Sequence, residues 1–276
     1  MKIQYLGTAA AEGWPGLFCN CAVCREATRR GGRDLRTRSQ ALIDDGLLVD
    51  FPPDSYLHML QYHVPLPHIH TILLTHAHQD HFYPLDLTLR GKGFSDEIDG
   101  VLTIYGAAAG REMFERTCAA ISPDWELDRR LRYVEIQPFV PFTVEGYRVT
   151  PVTARHDPSQ LCLNFIIERG GKKLLYANDT GMYLPQTMEF LARSGRLDLI
   201  SLDCTMGRQT VEGGHMGLEQ NRILMRKLRE LGCADAQTTT VITHFSHHGG
   251  LLHSELEQAV AQDGWLVAYD GRTVEV

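Results

Sequence analysis

The segment Thr75-His76-Ala77-His78-Gln79-Asp80-His81 places three imidazoles and a carboxylate within six residues. It follows directly on the apolar run Ile69-His70-Thr71-Ile72-Leu73-Leu74. An apolar run closed by a ligand-rich loop predicts a buried strand that ends in a metal site. Imidazole supplies neutral nitrogen donors and Asp an oxygen donor, so H-x-H-x-D-H can feed two neighbouring cations from one loop. The remaining ligands have to come from elsewhere in the chain, which restricts the fold to one that gathers several strand ends at one place.

The other elements supply such strand ends. Lys2 to Leu6 alternates as a strand, Cys21 to Arg30 reads as a short helix stopped by Gly31-Gly32, and Gln40–Asp44 and Leu47–Asp50 form a hairpin turning at Asp45-Gly46. A helix over Asp54–His63 precedes the strand ending at His76; a strand over Val101–Tyr105 and a helix over Ala107–Ile121 follow. Strands succeed one another from Tyr133 to Glu168, with one more over Lys173–Ala177. The last third alternates strand Leu197–Leu202, helix Gly217–Leu231, strand Thr239–Thr243, helix Ser254–Gln262 and strand Trp265–Ala268. Strand-rich halves that each end in αβ units predict an α/β fold of two sheets flanked by helices, a four-layer sandwich. No linker-like tract, low-complexity segment or repeat divides the chain, so residues 1–276 are expected to form one domain.

Composition narrows the partners. A formal charge of −7 argues against holding a large nucleic acid, which needs clustered cations. The basic stretch Arg25 to Arg38 is expected on a solvated helix and loop. The N-terminus MKIQYLGT has no signal-peptide h-region, and no run reaches the roughly 18 apolar residues of a membrane span. The expectation is a cytoplasmic protein without membrane contact; whether it forms a homodimer stays open. Seven cysteines without a signal suggest metal ligands sooner than a disulfide framework.

Three further ligand candidates follow strands: His156, Asp179 and His244. With the first loop they make five His and two Asp, enough for two ions that each keep an open position. In order and spacing, His76, His78, Asp80, His81, His156, Asp179 and His244 resemble the ligand set of the metallo-β-lactamase superfamily. The resemblance implies an αββα sandwich with the metals at one edge of the sheets. It implies that His76, His78 and His156 hold a first ion, that Asp80, His81 and His244 hold a second, and that Asp179 bridges them. Two such ions share a hydroxide that serves as nucleophile. The oxygen-redox branch of the superfamily usually carries an acidic residue where His78 stands, so the hydrolytic branch is favoured. An all-N/O site does not choose between zinc, manganese and iron.

Cys19-Asn20-Cys21-Ala22-Val23-Cys24 is C-x-C-x2-C, a spacing that lets three thiolates face one point and leaves a tetrahedral zinc wanting a fourth ligand. The run from Gly7-Thr8-Ala9 through Trp14-Pro15-Gly16 to Cys24 is similar to the opening of the phosphoribosyl 1,2-cyclic phosphate phosphodiesterase-like group. In that group a His three residues after the last active-site His completes the cluster, which implies His247 here, with His248 as competitor. Cys118, Cys162, Cys204 and Cys233 lack such spacing and are expected in the core.

His215 stands in the glycine-framed loop Glu212-Gly213-Gly214-His215-Met216-Gly217. The resemblance implies that a His in this region protonates a leaving alkoxide, a role that suits an imidazole of near-neutral pKa. Asp203, at a strand end, is a candidate to orient it, and Asp80 to help position the nucleophile. The expected activity is hydrolysis of a small phosphodiester, cyclic esters included. Hydrolysis of a lactone, thioester or β-lactam is one alternative. The other is a non-hydrolytic role, because a protein of pyrroloquinoline quinone synthesis shares the C-x-C-x2-C opening.

Overall fold

The computed structural model describes residues 1–276. Fourteen strands form two sheets of seven. In the first half these are β1 (Lys2–Gly7), β2 (Gln40–Ile43), β3 (Leu47–Val49), β4 (Thr71–Leu73), β5 (Leu102–Gly106) and β6 (Leu131–Glu135). The second half contributes β7 (Phe142–Val144), β8 (Tyr147–Thr153), β9 (Leu163–Arg169), β10 (Lys172–Ala177), β11 (Leu199–Asp203), β12 (Thr239–Thr243) and β13 (Leu266–Val267). The last strand, β14 (Thr273–Glu275), returns to pair with β1, so the sheet orders are β14-β1-β2-β3-β4-β5-β6 and β13-β12-β11-β10-β9-β8-β7.

Each sheet changes from antiparallel to parallel pairing along its width. β14 through β3 are antiparallel and β3 through β6 parallel; β7 through β10 are antiparallel and β10 through β13 parallel. The parallel-paired strands β3, β4 and β11 are buried throughout because both of their faces are covered. Residues such as Tyr5, Val49, Phe165, Tyr176 and Val241 pack between the sheets. Helices α1 (Ala22–Arg30), α5 (Pro185–Arg193), α6 (Leu218–Glu230) and α7 (His253–Val260) belong with the second sheet's outer core, through residues such as Ala27, Leu191, Leu224 and Leu256. On the first sheet's outer face lie α2 (Ser55–Tyr62), α3 (Pro84–Leu87) and α4 (Ala108–Ala119), with Leu87 and Phe114 in that core. The result is the four-layer αββα sandwich.

Several details differ from expectation. The strand before the His-rich loop stops at Leu73, because Thr75 N–H turns to Asp50 Oδ1 at 2.8 Å instead of continuing the ladder. Helix α5 was not anticipated: it buries only Thr187 and Leu191, too thin a stripe to show a helical period. Two signals pointed to it, namely Pro185 in its first turn and the crossover that the parallel pair β10–β11 requires. Strand β14, which buries only Val274, was also missed. Within the basic stretch, Arg36 is not solvated. It is 4% exposed, donates to Thr8 Oγ1 and Ala268 O, and stacks on Phe245. Cys118 is only partly buried, whereas Cys162, Cys204 and Cys233 are core residues.

Phe165 is fully buried between the sheets. Phe165→Ala is expected to cost about 3–5 kcal/mol of unfolding free energy, measured by urea denaturation with the metal content held constant.

Candidate metal centre

The site stands where strands end. Asp50 follows β3, the His76–His81 loop follows β4, His156 follows β8, Asp179 follows β10, Asp203 ends β11 and His244 follows β12. Asp50, Asp179 and His244 turn away from their strands with φ of 64°, 49° and 60°. Left-handed backbone at such residues costs on the order of 1–3 kcal/mol each and persists only where surrounding contacts over-determine it.

Those contacts are outward hydrogen bonds from each imidazole. His81 Nδ1–H donates to Asp50 Oδ2 at 2.7 Å, and His244 Nδ1–H to Thr205 Oγ1 at 2.8 Å. His76 Nδ1–H reaches Thr75 Oγ1 at 3.1 Å and His156 Nδ1–H the carbonyl of Gly214 at 3.1 Å. His78 is turned the other way round: its Nε2–H donates to Asp157 Oδ2 at 3.0 Å, and Nδ1 faces inward. Each ring thereby turns an acceptor nitrogen toward the centre. His78 Nδ1 lies 2.8 Å from His76 Nε2 and 3.2 Å from His156 Nε2, while His81 Nε2 lies 3.3 Å from His244 Nε2.

Facing lone pairs at such distances repel unless something positive lies among them. Ligand nitrogens around a tetrahedral cation stand roughly 3.3 Å apart, given metal–nitrogen bonds of about 2.0–2.1 Å. Two groups therefore fit divalent ions: His76, His78 and His156, and Asp80, His81, Asp179 and His244. One oxygen, Asp179 Oδ2, lies 3.6 and 3.9 Å from His76 and His156 and 2.7 and 3.3 Å from His81 and His244. Asp80 Oδ2 is 3.2 Å from His81 Nε2.

The charges show the same demand. Burial opposes ionisation of Asp179, yet His244 and His81 hold its carboxyl well below the usual range. Burial likewise opposes charge on His81, but Asp80, Asp50 and Asp179 lift it well above an ordinary imidazole. His76, dominated by burial, falls well below.

His215 lies beside both groups. Its ring is 4.9 Å from that of His156 and 6.0 Å from that of His244, centre to centre. Nδ1 hydrogen-bonds Asp203 Oδ2 at 3.2 Å and lies 3.1 Å from Asp179 Oδ1. Burial works against the charged ring, but the Asp179 and Asp203 carboxylates outweigh it and raise His215 to about 11. Asp203 itself accepts from Thr205 N–H, Thr205 Oγ1–H and Met216 N–H.

A second group forms at the N-terminal loop. Cys19, Cys21, Cys24 and His247 bring their ligand atoms within 4.8 Å of one another. His247 Nδ1 lies 3.8 and 3.6 Å from Cys19 and Cys21 Sγ, close to the roughly 3.6 Å expected for S and N ligands on one tetrahedral zinc. His247 turns Nε2 toward Glu12 at 3.6 Å. The alternative, His248, is exposed and does not join this group. Burial pushes the Cys24 thiol up to about 12, so a cation is needed to make it a thiolate at neutral pH.

Asp50, Thr75, Thr205 and Asp157 were not singled out from sequence. Only Asp50 had a visible signal, an acid at the end of an apolar strand.

Comparison with known proteins decides the family. A family model described as the β-lactamase superfamily domain matches residues 47–245, well over half of the chain. The chain belongs to this superfamily. Its fold is shared with a diphosphatase of the PhnP family, 22% identical with a TM-score of 0.75 over all of this chain and 97% of that one. Zinc-bound PqqB from Methylobacterium extorquens is 22% identical with a TM-score of 0.76 over the whole of both chains. Human short-form tRNase Z is 18% identical, with a TM-score of 0.70 over all of this chain and 99% of that one. A 90-residue stretch, 31% of this superfamily member, is 37% identical to an octanoyltransferase of Porphyromonas gingivalis and spans 17% of it.

Two outcomes are expected. Cys21→Ser should lower the metal content in elemental analysis and reduce the melting temperature. Asp179→Ala removes the oxygen near both groups, so the metal held there should be lost at least in part, along with nearly all hydrolysis.

Proposed function

We propose that this superfamily member is a binuclear-metal hydrolase of small phosphodiesters. The observation that carries the reading is His215, a ring charged by Asp203 and Asp179 beside a ligand of each ion group. In this reading His76, His78 and His156 hold one ion, Asp80, His81 and His244 the other, and Asp179 both. Two divalent cations bound there supply Lewis acidity and an activated water at neutral pH.

The chain's own residues do the rest. Asp203 is immobilised by three hydrogen bonds and holds His215 through Nδ1, leaving Nε2–H free of protein partners. That proton passes to the leaving oxygen as a water oxygen bonds to phosphorus and the ester P–O bond breaks. Asp179, if engaged with cations, would offer less charge to His215, whose pKa would then fall from about 11 toward the range a proton donor needs. Asp80, in contact with His81, orients the nucleophile side of the centre. Cys19, Cys21, Cys24 and His247 hold a structural zinc that ties the N-terminal loop to the wall carrying His244.

A phosphate substrate is supported by the names of two similar structures, a diphosphatase and a tRNase. A small substrate is supported by the charge of −7, which repels a polynucleotide. Hydrolysis of a thioester is the second reading, favoured by the match to a protein named octanoyltransferase. A thiolate leaves without a proton, so that chemistry has no use for His215. A non-hydrolytic role leaves the intact H-x-H-x-D-H loop without a purpose.

His215→Ala separates these readings. It should keep both ions and lose on the order of 10²–10⁴-fold in kcat on a 2′,3′-cyclic nucleotide, the usual contribution of a positioned acid. On bis-p-nitrophenyl phosphate, whose leaving group departs unprotonated, the variant should be nearly normal. Equal losses on both esters would remove the acid role, and a wild type that hydrolyses thioesters but neither ester would favour the second reading.

A further inference from the structure

His78 differs from the other four histidines of the centre. They present Nε2 inward and pass Nδ1–H to a partner behind the ring, whereas His78 presents Nδ1 and sends Nε2–H outward to Asp157. Its side chain is 39% exposed, against 10% or less for His76, His81, His156 and His244. Packing therefore does little to fix this ring, and its orientation depends on one surface loop.

That loop is built to hold it. Asp157 Oδ1 accepts from Ser159 N–H and Ser159 Oγ–H, both at 2.8 Å, and Oδ2 accepts from Gln160 Nε2–H at 3.0 Å. Gln160 Oε1 in turn accepts Ala77 N–H at 2.9 Å. The carboxylate thus grips the His78 ring while the carboxamide grips the backbone between His76 and His78. The same loop begins with His156, so its two contacts with the His76–His78 segment, Asp157 to His78 and Gln160 to Ala77, both serve the ligands of one ion and neither reaches the other ion's ligands.

We propose that Asp157 is a positioning residue for the first ion. It keeps His78 in its Nε2–H form, aims the Nδ1 lone pair at the point shared with His76 and His156, and sets that ion's affinity separately from its neighbour's. A carboxylate behind a metal-bound imidazole also raises the ring's basicity, and losing such a partner typically costs 10–100-fold in metal affinity. The inference rests on the binuclear reading given above.

The test uses Asp157→Ala and Asp157→Asn in the full chain. Metal content after dialysis against graded chelator is read by elemental analysis, the cobalt(II)-substituted proteins by visible absorption, and the metal-free proteins by thermal melting. The alanine variant should release one ion at about 10–100-fold lower chelator than wild type and keep the rest. Its cobalt spectrum should lose the contribution of one site, and its metal-free melting temperature should match wild type. Asparagine, whose amide oxygen still accepts Nε2–H, should recover most of the affinity. The proposal is overturned if Asp157→Ala holds its ions as wild type does. It is equally overturned if both catalytic ions leave together with a lowered metal-free melting temperature, or if asparagine rescues nothing. Wild type binding a single ion besides the structural zinc would instead refute the binuclear reading, and this inference with it.

Discussion

Asp179 Oδ2 has four imidazole nitrogens within 4 Å, contributed by loops after β4, β8 and β12, and the residue is 3% exposed. A carboxylate this deeply buried is tolerable only if positive charge accompanies it. The convergence of strand ends supplies that compensation, with protons on the rings or with cations among them. The sandwich follows from this constraint as much as from its hydrophobic cores. Two sheets whose strands end at a common edge are a direct way to deliver ligands from such distant parts of the chain.

Behind the rings lies a further layer that is short and nearly continuous. Asp50 holds His81 and Thr75, and Thr75 also faces His76. On the opposite side Asp203 binds Thr205, which meets His244, and binds His215 as well. Gly214, next to His215, accepts from His156. A Cβ at Gly214 would come within 2.9 Å of His156 Nδ1, so the loop bearing His215 can lie this close only with glycine there. His215 and the rings of the centre are therefore set by one network, and a shift in one is felt by the others.

The N-terminal segment is joined to the same wall. Ala9 bridges Phe245, the residue after His244, and Arg36 stacks on that ring from behind. His247 meets the cysteine turn three residues later. The N-terminal loop is thus fixed at the rim of the centre, with the cysteine cluster three residues from His244 along the chain through His247.

Much of this was legible in the chain itself. H-x-H-x-D-H, the His and Asp residues after later apolar runs, and C-x-C-x2-C are local patterns in which residue type and spacing already determine the chemistry. The apolar runs likewise determined most strands and the sandwich class. Folding alone decided which nitrogen of each His faces the centre, because that depends on partners such as Asp50, Thr205 and Gly214 that come from other strands. It also decided the partners of His215, two carboxylates 24 residues apart in sequence and both near 3 Å in space. It likewise brought His247, and not the exposed His248, to the cysteine turn. Local pattern specifies which atoms are available; only the packed structure specifies which of them meet, since hydrogen-bond direction and burial are properties of neighbours that the chain brings together from afar.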